Sequence, residues 1–155
     1  MKQYIRTKLL FEGEADRIKE ITEMLGTESD PIRFERILPL QGDDPLKKWG
    51  TETDAEETDR IVYRDGTKAE YSFDTADAMP FPVCQELSRR YPDLKMTVIY
   101  ASQDYANDCG CYEAAAGSDE LLLQKIDDPF VFACDIWEID PEEQRYEEMI
   151  NFYEE

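Results

Sequence analysis

The chain predicts an α+β fold in which two helices cover one face of a sheet. Three observations predict it. Apolar residues repeat with a period of two in some segments and about 3.6 in others. The segments follow one another as strand, helix, strand, strand pair, helix and strand. The chain has 155 residues, 41% of them apolar and 12% aromatic, which supplies one sizeable core and argues against disorder. A single domain over residues 1–155 is therefore expected, ending in a helical extension over about residues 127–155.

Residues 4–12, YIRTKLLFE, place Ile5, Thr7, Leu9 and Phe11 on one face and Tyr4, Arg6, Lys8 and Leu10 on the other, as in a half-buried strand. Glu14 to Leu25 brings Ile18, Ile21 and Leu25 to one side at helical spacing. Acidic residues occupy its first turn and Gly26 its C-terminal stop. After Ser29-Asp30-Pro31, the segment IRFERIL (32–38) alternates Ile32, Phe34 and Leu38 with charges, which predicts a second strand closed by Pro39. Residues 40–59 have little periodicity and predict a long connection. Trp49 is its one large anchor, and Gly50 lets the backbone turn beside the indole.

Residues 60–74, RIVYRDGTKAEYSFD, predict two strands about Asp65-Gly66, a dipeptide suited to a tight hairpin; Tyr71 and Phe73 share a face. In the next segment Cys84, Leu87 and Tyr91 stand at i, i+3 and i+7. A second helix is predicted there, with Asp77 as cap, Pro80 and Pro82 in its first turn and Pro92 ending it. LKMTVIY (94–100) alternates as a strand, and residues 109–125 predict a hairpin about Gly117-Ser118. Asp128-Pro129 and Asp140-Pro141 each combine an N-cap with proline at the first helical position. They open two short helices, lined by Phe130, Cys134 and Trp137 and by Tyr146, Met149, Ile150 and Tyr153.

This order fits a split β-α-β arrangement with two helices on one sheet face, the ferredoxin-like topology, with an added hairpin and C-terminal helices. The chain also resembles the YubB ferredoxin-like family of small proteins from phages, plasmids and integrated bacterial elements. The resemblance rests on RFERILPL (33–40), on Trp49-Gly50-Thr51 followed by Asp54, on YSFDTADAMPFPVCQELSRRYPDLKM (71–96), and on the strand ending at Tyr100. It covers roughly residues 30–125. It implies a ferredoxin-like fold and association with mobile elements, and no catalytic residues. Where relatives read Trp-Gly-Thr-Lys-Trp-Asp, this chain has Glu52 and Thr53 in place of the Lys and the second aromatic.

Charge narrows the function. Seventeen basic against 37 acidic side chains give a net charge of −20, which repels nucleic acid and anionic membrane. Histidine is absent. That removes the usual general base near neutral pH, Ser-His and Cys-His nucleophile pairs and the commonest zinc ligand. No apolar run approaches the roughly 20 residues of a membrane span, and the amino end lacks a signal peptide's apolar core, so a cytoplasmic protein is expected. In that compartment Cys84, Cys109, Cys111 and Cys134 are expected to be reduced thiols.

Several candidate sites can be weighed on residue type and spacing. Glu52, Asp54, Glu56, Glu57 and Asp59 offer oxygen ligands, but their spacing does not fit an EF-hand loop, and a solvated acidic loop is the simpler reading. Residues 104–115 fail the same comparison, with Ala106, Cys109 and Ala115 at the third, sixth and twelfth positions. Cys109-Gly110-Cys111 puts two thiols on one strand face, short of the four ligands of structural zinc, and core or strand cysteines account for them. Tyr100, Tyr105, Tyr112 and Trp137 are either groove aromatics or, more simply, core.

The expectation is a protein that works through protein–protein contacts with a host or element-encoded partner. No cofactor, direct nucleic acid or membrane is expected, and the possible interaction loop carries Trp49 and Asp54. One rival is an acidic mimic of nucleic acid that inhibits a DNA- or RNA-binding protein. Another is a histidine-free enzyme using carboxylates or cysteine.

Overall fold

The computed structural model describes residues 3–154, and their side chains except those of 105–107, 148 and 151–154. The elements in chain order are β1 (Tyr4–Glu12), α1 (Ala15–Leu25), α2 (Phe34–Ile37), α3 (Pro45–Lys48), β2 (Glu56–Val62) and β3 (Lys68–Ala76). They continue as α4 (Phe81–Arg90), β4 (Lys95–Ser102), β5 (Tyr105–Ala114), β6 (Leu122–Gln124), α5 (Pro129–Ile136) and α6 (Pro141–Glu154). The six strands form one sheet in the order β2-β3-β1-β4-β5-β6, and each neighbouring pair is antiparallel.

The first strand sets the two faces of the sheet. Ile5, Thr7, Leu9 and Phe11 are buried in strict alternation with half-buried neighbours. Leu9 and Phe11 join Ile18, Ile21 and Leu25 of α1 and Val83, Cys84 and Leu87 of α4 in the main core, so α1 and α4 cover that face. The opposite parity, Arg6, Lys8 and Leu10 on β1, forms a second and largely open face. Its far end is covered by α5, whose Ala133 and Ile136 pack on Ala101 of β4 with Ile99 and Cys109 beside them. The helical extension is thus divided: α5 closes part of the sheet, whereas Tyr146 and Met149 of α6 are 61% and 50% exposed.

Several elements differ from the sequence expectation. Residues 32–38 do not form a strand; Phe34–Ile37 make one helical turn, α2. The cause lies 20 residues downstream. The Asp54 carboxylate accepts hydrogen bonds from the amides of Phe34 (2.7 Å) and Glu35 (3.3 Å), which satisfies the amides a sheet neighbour would otherwise have paired. Phe34 and Ile37, at i and i+3, then point together into the core. The alternation of so short a segment fits either period.

Asp77 does not cap α4. Its carboxylate accepts from the amide of Gln3 at 2.8 Å while its backbone sits at φ 63°, and Pro80 occupies the N-cap position. The connection at 40–59 contains α3 and the start of β2, so Glu56, Glu57 and Asp59 lie on an edge strand. The β4–β5 pairing adds a hairpin before the expected one, because β5 begins at Tyr105. Segment 104–115 is therefore mostly strand. Tyr153 lies outside the described side chains. Among the described residues, no helix is long and apolar enough to cross a membrane.

Candidate functional site

The two residues singled out in the sequence hold the fold together. The helical turn α3 starts with Asp44, whose carboxylate accepts from the amide of Leu46, and delivers Trp49 to the core at 4% exposure. The indole meets Phe34 edge to face at 5.6 Å, and its Nε1–H donates to the Leu38 carbonyl at 2.8 Å. Gly50 has φ +81°, and a Cβ there would stand 2.8 Å from Cδ of Pro82, so both conformation and space call for glycine. The buried Thr51 hydroxyl donates to the Ala76 carbonyl at 3.0 Å. Asp54 binds the amides that start α2. The stretch 49–54 therefore sews the long connection to α2 and the end of β3.

A charged cleft lies on the open sheet face, and residue-by-residue reading did not find it. Its volume is about 310 Å³, and its lining includes Arg6, Lys8, Glu57, Asp59, Ile61 and Glu138. Arg6 on β1 stands opposite Asp74 on β3. The guanidinium donates twice, through Nε at 2.9 Å and Nη2 at 3.2 Å, to the two carboxylate oxygens of Asp74. Such fork-to-fork pairing fixes direction as well as distance. The other side of the guanidinium lies over the Trp137 ring at 4.3 Å, a cation–π contact. Trp137 is itself held by its Nε1–H donating to the Ala101 carbonyl at 3.0 Å. The hydrogen bonds to Asp74 raise the Arg6 pKa above its ordinary value; burial opposes the shift, and the charges of Asp74, Glu138 and Glu57 add to it.

The two carboxylates that act on Arg6 from the cleft wall share a feature. Glu57 sits at φ 50° next to the register shift between Glu56 and Asp59, and Glu138 sits at φ 57° just beyond α5. Non-glycine residues rarely adopt this left-handed conformation, and its cost is tolerated where the surroundings fix it. Beside the cleft, Ile61 of β2 is 55% exposed. The result is a rigid Arg–Asp–Trp platform with carboxylates at its rim and an apolar side chain on its outer lip. It can receive charged and apolar groups from a partner at once. The available signal was in register: an Asp inside the apolar strand YSFDTA and an Arg on the polar face of β1 invite pairing across neighbouring strands.

The aromatic candidates do not form one groove. Tyr100 and Tyr112 stack at 6.5 Å and 16°, with Phe81 at 5.1 Å from Tyr112, on the face covered by α1 and α4. Trp137 is on the opposite face, and the Tyr105 side chain lies outside those described. Burial, followed by the Asp108 charge, pushes the Tyr100 phenol up to about 12.

Cys109 and Cys111 both lie on the open-face side of β5 and are half-buried, while Cys84 and Cys134 are buried. Sγ of Cys109 lies 3.9 Å from the Pro129 carbonyl at the start of α5. Burial pushes Cys84 up to about 12. Burial, followed by the charges of Asp108 and Glu113, raises Cys109 and Cys111 respectively.

No family model matches the chain, and no curated protein or solved structure matches it.

Proposed function

We propose that the chain is a non-enzymatic protein-binding module that engages a basic partner through the open face of its sheet. The charged cleft is the observation that carries this reading. Its platform is built from β1, β3 and the segment after α5, and the acids at its rim stand among a net charge of −20. Such a surface attracts positive partners from a distance and fixes their register on contact.

The proposal includes a ferredoxin-like core and membership in the YubB family, with a mobile-element origin and a host or element-encoded partner. Support for the core comes from the run β1-α1-β2-β3-α4-β4, interrupted only by the short α2 and α3, and from the spatial order β2-β3-β1-β4. A cytoplasmic location belongs to the proposal too, supported by the free thiols of Cys84, Cys109 and Cys111.

The net charge also favours a second reading, in which the partner is a nucleic-acid-binding protein and the acids imitate its ligand. One experiment tests both. The protein is used to capture partners from host lysate at low and at high salt, alongside an Ile61→Ser/Asp59→Lys variant with unchanged circular dichroism. Salt-sensitive capture that the variant loses supports the sheet-face reading; capture equal for the two proteins overturns it. Release of the captured partner by added DNA or RNA selects the mimic.

A further inference from the structure

Charge is unevenly distributed along this chain. Residues 127–155 hold eleven acidic side chains against one basic, a balance of −10, while the other 126 residues share the remaining −10. The single base is Arg145, and its guanidinium lies over the Phe130 ring at 4.7 Å, which ties α6 back to α5. Three of the acids have internal tasks. Asp128 accepts from the Val131 amide, Asp140 accepts from the Glu142 amide, and Glu138 faces Arg6. Among the described residues, no ion pair involves Asp127, Asp135, Glu142, Glu143 or Glu147.

The same segment leaves apolar side chains in solvent. Tyr146 and Met149 of α6 are three residues apart and so share a helix face; they are 61% and 50% exposed. Val131 of α5 is 40% exposed. An apolar stripe on a helix normally faces a core. Here α5 has its core side filled by Ala101, Ala133 and Ile136, whereas the Tyr146 and Met149 face of α6 remains uncovered.

We infer that α6 is a docking helix whose Tyr146 and Met149 enter an apolar groove, rimmed by Lys and Arg, on a partner protein. The charge selects this occupant. A second copy of the chain would bring an arm of −10 against an arm of −10. An anionic lipid surface would repel it as well, since surface-bound amphipathic helices carry cations on their polar face. A basic rim instead meets Glu142, Glu143 and Glu147, while the groove takes the apolar pair, the usual helix-in-groove mode. The inference rests on the chain being a protein-binding module but names a surface other than the sheet face, so the two can fail separately.

The test uses the full chain and a synthetic helical-hairpin peptide whose two helices leave a leucine-lined groove flanked by lysines, titrated by calorimetry at physiological salt. Saturable binding is expected. It should weaken about tenfold or more in a Tyr146→Gln/Met149→Gln variant of unchanged circular dichroism, the loss typical of anchoring side chains. Replacing the peptide's leucines with alanine should cost as much, whereas Leu123→Ser, at an exposed apolar side chain of the edge strand β6, should leave the affinity unchanged. Equal binding by wild type and double variant would overturn the inference, as would an alanine peptide that binds equally well. So would sedimentation showing self-association lost in the double variant, or binding to anionic phosphatidylserine vesicles.

Discussion

Replacing Trp49 by alanine removes the side chain on which the longest connection depends, and the structure gives the size of the loss. The indole is 4% exposed, so nearly all of its apolar surface returns to water or leaves a cavity, a change that costs about 3–5 kcal/mol for a buried aromatic. Within that total, the edge-to-face contact with Phe34 at 5.6 Å accounts for about 0.5–1.5 kcal/mol. The hydrogen bond to the Leu38 carbonyl at 2.8 Å accounts for about 1 kcal/mol. Leu38 is half-buried, so water can reach that carbonyl and hold the hydrogen-bond loss near this value.

The expected destabilisation of Trp49→Ala is therefore about 4 kcal/mol, a large part of the 5–15 kcal/mol of a typical domain. In thermal unfolding it corresponds to a fall of about 8–16 °C for a chain of this size. Trp49→Phe keeps a ring against Phe34 and loses the donor, so it should cost about 1–2 kcal/mol. Urea unfolding followed by circular dichroism measures both. The chain has two tryptophans, so the emission of Trp49→Ala comes from Trp137 alone and reports whether the platform on the other face survives. A loss under about 1 kcal/mol for the alanine variant would refute the anchoring role. Equal losses for alanine and phenylalanine would refute its partition between ring and donor.

Two further outcomes follow from the same geometry. Asp54→Ala takes the acceptor from the amides of Phe34 and Glu35 and should lower stability in urea by about 1–2 kcal/mol, as loss of a helix cap does. Asp54→Asn should recover part of it, and a neutral Asp54→Ala would show that α2 needs no cap. Native-state alkylation mapped by mass spectrometry should modify Cys109 and Cys111 and spare Cys84, which burial pushes up to about 12. Because burial raises the two reactive thiols as well, their rates should keep climbing with pH beyond the ordinary thiol range, since the thiolate reacts. A plateau near neutral pH, or early labelling of Cys84, would refute this.

Strong periodicity was legible in the sequence. The buried set of β1, the apolar side of α1, the Asp65-Gly66 hairpin and the caps of α5 and α6 all follow from local spacing. Non-local satisfaction of backbone groups was hidden. Nothing between residues 32 and 38 reveals that Asp54 will bind the amides of Phe34 and Glu35, and without it the alternation of Ile32, Phe34 and Leu38 reads as a strand. The cleft was hidden for a related reason. Its residues come from β1, β2, β3 and the turn after α5, separated by up to 132 positions between Arg6 and Glu138. Only the strand register brings them together.

That register also explains why charges can line an interior strand without destabilising it. Arg6 lies on β1, in the middle of the sheet, where solvent is partly excluded by α5 and Trp137. A lone guanidinium there would carry a desolvation cost that burial alone does not return. Asp74 and the indole offset it from two sides, and Glu57 and Glu138 add favourable field from the rim. Each of these partners is positioned by a different feature: the β1–β3 register, the α5 packing on Ala101, the bulge of β2 and the left-handed turn at Glu138. Removing α5 would therefore strip the platform of Trp137 and Glu138 together. The segment after α5 and the first strand consequently build the open face together, along with β2 and β3.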